Sequence, residues 1–153
     1  MLNKSTSLIL AVCLLVCMCL PASAAGGIIP DGTFSSDYFA SYGCVINDNG
    51  GHVLHITFNT TGVGVCDEIG VANYCVDKYV ELSDGSHAWT PVTGLLPGYT
   101  RTNASFCSYN VNFQGVAGER YRVRATFYCA KTFPDGSSGS EHKTVTTSGC
   151  TVH

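Results

Sequence analysis

From residue 118 onward the chain alternates with a period of two. Tyr121, Val123, Ala125, Phe127 and Cys129 fall on one face of an extended segment, and Arg122, Arg124, Thr126 and Tyr128 fall on the other. This pattern predicts the central strand of the domain, opened by Gly118. Tyr121 stands early enough in it to place its ring in the core and return its hydroxyl to a nearby backbone group. Residues 52–59 alternate in the same way, with His52, Leu54, Ile56 and Phe58 as the more apolar face. In residues 105–113 the set Ser105, Cys107, Tyr109, Val111 and Phe113 is expected to face inward. Residues 73–82 predict a further strand, with Tyr74, Val76, Val80 and Leu82 in one register and Lys78 as the odd member. Shorter strands are expected at 42–46, 88–92 and 140–147.

Turn chemistry punctuates these segments. Asn47-Asp48-Asn49-Gly50-Gly51, Ser83-Asp84-Gly85-Ser86, Pro97-Gly98 and the Gly-rich tip from Pro134 to Gly139 each read as a turn. Pro91 suggests an edge strand, because it has no amide proton for a ladder. Residues 60–67, with Gly62 and Gly64, read as a loop or a weak strand. No window has helical periodicity. The expectation is an all-β fold, an antiparallel β-sandwich of about seven strands, with a closed barrel as the alternative. Tyr121 would be the tyrosine corner of an immunoglobulin-like or fibronectin III-like sandwich.

The N-terminus has a different pattern. Lys4 precedes an apolar run over residues 8–20, and Pro21-Ala22-Ser23-Ala24 ends in Ala-x-Ala. This predicts a secretory signal peptide over residues 1–24. Residues 25–42 form an irregular lead-in, and residues 43–153 a single domain. The apolar run is short for a membrane span. Neither a second such run nor a lipid-acceptor cysteine follows from the pattern, so no stable membrane anchor is expected.

Charge and cysteines narrow the class. Without Lys4, seven Lys and Arg stand against eleven Asp and Glu, a net charge of −4. That balance argues against nucleic acid and anionic membrane surfaces as partners. Six of the nine cysteines lie beyond residue 24: Cys44, Cys66, Cys75, Cys107, Cys129 and Cys150. An even set in a secreted chain predicts a disulfide-stapled domain with three bridges, whose pairing the spacing leaves open. Each bridge would stabilise the fold by about 2–4 kcal/mol. No C-x-x-C spacing suggests zinc.

Two resemblances meet at the residue 118–129 strand. Gly118-x-x-Tyr121-x-Val123-x-Ala125, followed by the Gly-rich tip and a Thr-rich last strand, resembles the second half of fibronectin type III modules. The span 69–147 also resembles a family of small secreted bacterial proteins known as a domain of unknown function. The residues that carry this likeness are Ile69-Gly70, Ser83-Asp84-Gly85, Trp89-Thr90-Pro91-Val92 and Gly115-x-x-Gly118-x-x-Tyr121-Arg122-Val123. The resemblance implies a signal peptide followed by one β domain, and it implies no catalytic residues. An immunoglobulin domain would carry a cysteine two residues after the corner tyrosine. Val123 stands there, so the immunoglobulin bridge does not transfer.

Candidate chemistry is sparse. His52 and His55 are three apart on a strand and point to opposite faces, which does not suit a metal site. Asp84, Ser86 and His87 sit on a tight turn, where turn chemistry accounts for them. Asp67 and Glu68 are adjacent carboxylates beside Cys66, and with Asp77 they are the candidates for a small secreted hydrolase. Asn59 and Asn103 open glycosylation-type patterns. Arg101, Arg122 and Arg124 are expected either to form a basic patch on one face or to lie on a solvated face, pairing with Glu81 or Asp77 across strands. Neither a catalytic constellation nor a requirement for a cofactor or metal emerges. The aromatic residues Trp89, Tyr99, Tyr128 and Phe133 remain. They suit either a platform for sugar rings or an interface core, although for Trp89 a place in the core of the sandwich is the favoured expectation, because tryptophan is highly buried on average. The expected function is a secreted, non-enzymatic module that binds an extracellular glycan or protein. A structural matrix component is the second expectation and the hydrolase the third.

Overall fold

The computed structural model describes residues 36–153. The expected signal peptide and most of the lead-in lie outside the described residues. Seven strands follow in order: β1 (Phe39–Asp48), β2 (Val53–Glu81), β3 (His87–Pro91), β4 (Leu96–Gln114), β5 (Arg120–Thr132), β6 (Ser138–Thr146) and β7 (Cys150–Thr151). No helix occurs among the described residues. The domain is all-β and antiparallel, and hydrogen bonds join the seven strands into one sheet.

The centre of that sheet is β2, with β5 as its neighbour, so the central position assigned to residues 118–129 shifts by one strand. β2 runs for 29 residues without a break. The Gly-rich stretch expected as a loop or weak strand is where it turns a corner. The register against β4 shifts between Thr61 and Cys66, and Gly64 sits at φ 78°. Glycine permits this backbone shape, and a bulge bends a strand without ending it. Before the corner β2 lies between β1 and the second part of β4. Beyond it β2 lies between β5 on one side and the first part of β4, then β3, on the other.

The sheet therefore folds over itself. Tyr42 of β1 stands against Phe127 of β5, with ring centroids 5.5 Å apart. The space between is filled by Phe39, Ile46, Leu54, Ile56 and Phe58 from the first part, and by Ile69, Val71, Val76, Val123 and Phe127 from the second. The inward sets read from the alternation in β5 and in residues 52–59 supply much of this core. His52 is the exception, exposed in the turn at φ 65°. In β4, Cys107 is buried, Tyr109, Val111 and Phe113 are half-buried, and Ser105 is exposed. Tyr121 is buried, and its hydroxyl oxygen accepts a hydrogen bond from the Val116 amide at 3.2 Å.

Three sequence expectations change. Pro97-Gly98 is no turn but part of β4, paired with β2 through Asn73 and Pro97. A side chain at 98 would run into the Val71 carbonyl, so glycine is what lets the two strands close there. Residues 39–42, expected as part of the irregular lead-in, belong to β1 and lie along β2. The six described cysteines are all buried thiols, and none is bonded to another. The β-ladders disperse them: Cys44 lies opposite Phe58, Cys75 opposite Arg124 and Cys150 opposite Tyr121. Cys66 and Cys129 are the pair whose sulfurs meet, at 3.0 Å.

Candidate functional site

Alternation gives β5 an outward face of Arg122, Arg124, Thr126 and Tyr128. Two clusters form on it. At one end Asp77 of β2 lies opposite Arg122. Its Oδ2 accepts from Arg122 Nε at 3.0 Å and from Arg124 Nε at 2.8 Å, and Arg124 Nη2 donates to Oδ1 at 3.0 Å. The Asp77 side chain is only 1 % exposed. Burial alone would raise its pKa, but the hydrogen bonds and charges of Arg124 and Arg122 outweigh that and hold it below the ordinary carboxylate value.

Arg122, together with Arg120, also covers the aromatic residues. The Arg122 guanidinium sits 4.6 Å from the Trp89 ring centroid, and that of Arg120 sits 5.9 Å from it. Tyr79 packs on Trp89 at 5.1 Å and stacks on His87 at 5.1 Å, nearly parallel. Trp89 is thus half-buried on the outward face, capped by cations. It belongs neither to the core nor to an open platform.

At the other end a row of residues crosses the sheet: Thr100 of β4, Gly70 of β2, Tyr128 of β5 and His142 of β6. Because Gly70 carries no side chain, the row has a gap. A shallow cavity of about 380 Å³ lies here, lined by Glu68, Ala72, Pro97, Thr100, Tyr128 and His142. The β2–β5 register shifts between Val71 and Asn73, which makes Ala72 the extra residue of a bulge at the cavity wall. The rings of Tyr128 and His142 are 4.8 Å apart and tilted by 39°. Glu68 Oε1 accepts from the Thr100 hydroxyl at 2.6 Å, and no other donor among the described residues holds its carboxylate. The hollow thus offers an aromatic face, an imidazole edge, a carboxylate and a hydroxyl around small apolar groups.

The remaining candidates scatter. Tyr99 is 48 % exposed and leans on Tyr109, with centroids 5.7 Å apart. Phe133 meets Tyr38 edge-on and lies under the Lys131 ammonium. Asp67 accepts from the Thr132 hydroxyl of β5 at 2.8 Å. His55 bonds Asn112. Asp84 accepts from the amide and hydroxyl of Ser86 within its turn. No group of three metal-ligating side chains occurs among the described residues.

Sequence reasoning nominated Tyr128 and weighed Glu68, but missed His142 and Thr100. Only the register of β6 and β4 brings those two to the site. No protein-family model, curated protein or solved structure matches the chain.

Proposed function

We propose that the chain is a secreted, non-enzymatic binding module whose hollow at Tyr128 takes a sugar unit of an extracellular glycan. The observation that carries this reading is the half-exposed Tyr128 ring beside a carboxylate, Glu68, that has one protein partner. A pyranose ring presents an apolar face that stacks on an aromatic ring, and hydroxyls that donate to a carboxylate. The size of the hollow is at the small end of the range for small-molecule sites, which suits one residue of a polymer. The Ala22-x-Ala24 pattern and the low charge favour an extracellular address. The opposed core faces of the folded-over sheet are in keeping with an immunoglobulin-like sandwich, and we retain that reading of the fold.

The geometry weighs against a hydrolase. Asp67 and Glu68 are drawn to opposite sides of β2, Asp67 to Thr132 of β5 and Glu68 to Thr100 of β4. Asp77 is neutralised by two arginines. A glycosidase needs two carboxyl groups flanking one bond, and these three do not converge.

The test is retention of the protein on insoluble polysaccharides, mucin and bacterial cell wall, with Tyr128→Ala and Glu68→Gln beside the wild type. Retention of the wild type that falls at least about tenfold in Tyr128→Ala, with unchanged melting, supports the reading. Equal retention of wild type and Tyr128→Ala, or retention of neither on any matrix, overturns it.

A further inference from the structure

We propose that oxidation joins Cys66 of β2 to Cys129 of β5 in a disulfide, because the fold brings their two sulfurs together. Their Sγ atoms are 3.0 Å apart, and both side chains are fully buried. The β2–β5 ladder explains the approach. It starts at Glu68 opposite Ala130 and Ile69 opposite Cys129. Cys66 therefore lies just past its end, at the corner of β2, where the strand swings its core-facing side chain toward Cys129. Gly62 leaves room for the Cys66 sulfur, since a side chain there would collide with it.

The other cysteines have different neighbours. Cys107 faces the Tyr99 carbonyl at 3.7 Å and Cys150 its own neighbour's carbonyl at 3.8 Å. Cys44 and Cys75 lie opposite Phe58 and Arg124. Cys66 precedes Glu68 by two residues and Cys129 directly follows Tyr128. Both side chains are buried, so the bond lies in the core, and it ties the two strands that carry Glu68 and Tyr128.

The chemistry balances with a disulfide oxidant such as glutathione disulfide. Two S–H bonds break and one S–S bond forms. The oxidant's own S–S bond breaks as it takes up the two electrons and the two protons and leaves as two thiols. Burial, then the hydrogen bond with Cys66, raises the Cys129 thiol well above its ordinary value. Thiolate is the attacking species. The bond therefore forms as the two strands meet during folding, before the core closes over the sulfurs, and resists exchange once it has closed. Closing a loop between residues 63 positions apart constrains the unfolded chain strongly.

The test is disulfide mapping of the chain refolded from denaturant in a glutathione redox buffer, with free thiols alkylated before unreduced digestion. The expected result is a linked peptide pair containing Cys66 and Cys129. Alkylation of both, or linkage of either to another cysteine, overturns the proposal. A second measurement compares melting with and without reductant. Reductant should lower the wild-type melting temperature by about 8 °C or more and leave Cys66→Ala/Cys129→Ala unmoved. Equal sensitivity in the two proteins overturns the assignment. The mapping uses the wild type and does not depend on the double variant folding.

Discussion

The two ends of the outward face use the same kinds of residue in opposite ways. At the Trp89 end each group is matched: Asp77 by Arg122 and Arg124, Trp89 by Arg122 and Tyr79, and Tyr79 by His87. At the Tyr128 end, among the described residues, the ring has one aromatic neighbour, the carboxylate has one hydroxyl, and glycine leaves a gap between them. A saturated cluster holds strands together, while a half-satisfied one beside a cavity has capacity left for a ligand. An aromatic residue on a sheet face is therefore judged by what covers it.

Substitutions at the first end should cost stability, and those at the second should cost binding. The largest effect is expected for Asp77→Asn, which leaves two arginines facing a carboxamide. Because both reach solvent in part, the loss falls at the low end for broken buried pairs, about 3 kcal/mol by urea unfolding. A loss below 0.5 kcal/mol, on the order of a surface substitution, would show the clamp to be ornamental. The pH dependence sharpens this. The folded pKa of Asp77 is depressed, so its contribution is complete above the ordinary carboxylate value of about 4 and disappears as pH falls through the lower folded value. The stability gap between wild type and Asp77→Asn should narrow on acidification in that window. A constant gap down to pH ~2 would contradict the assignment.

Trp89→Ala comes next, at about 2 kcal/mol, because the half-buried ring loses packing and two cation contacts. Its retention on polysaccharide should be unchanged at temperatures where it is folded. Loss of retention with intact melting would exchange the roles of the two ends. The smallest effect is expected for His142→Ala, about threefold in retention or near 0.6 kcal/mol, with melting unmoved. A stability loss there instead of a binding loss would make the Tyr128–His142 pair a strand clip.

Part of this was legible in the sequence. The strict alternation of residues 121–129 exposes both faces of β5, so the inward position of Phe127 and the outward position of Tyr128 follow from spacing alone. The Asp84-Gly85-Ser86 turn was legible for the same local reason, and the Leu82 amide does donate to the Ser86 carbonyl across it. The opposition of Asp77 to Arg122 and Arg124 was also foreseen, although as a solvated face, not a buried carboxylate. The continuity of β2 was hidden, because Thr61-Gly62-Val63-Gly64 has loop composition and only its neighbours show that the corner is hydrogen-bonded. Pro97-Gly98 misled in the same way, since a close approach of strands and a turn both call for glycine. The site at Glu68, Thr100 and His142 comes from register between distant strands, which no local pattern encodes.

The unbroken course of β2 has a consequence for how the molecule comes apart. β1, β3, β4 and β5 all hydrogen-bond to it, and β6 and β7 reach it through β5. No half of the domain can be released while the other stays intact, because both halves own part of the same strand. β1 and β3 are hairpin neighbours of β2, but β4 and β5 are remote along the chain, as when Val53 meets Gln114, so the sheet is complete only when those long-range ladders close. Amide exchange along β2 should then report one free energy from end to end, with the glycine corner as protected as the strands it joins.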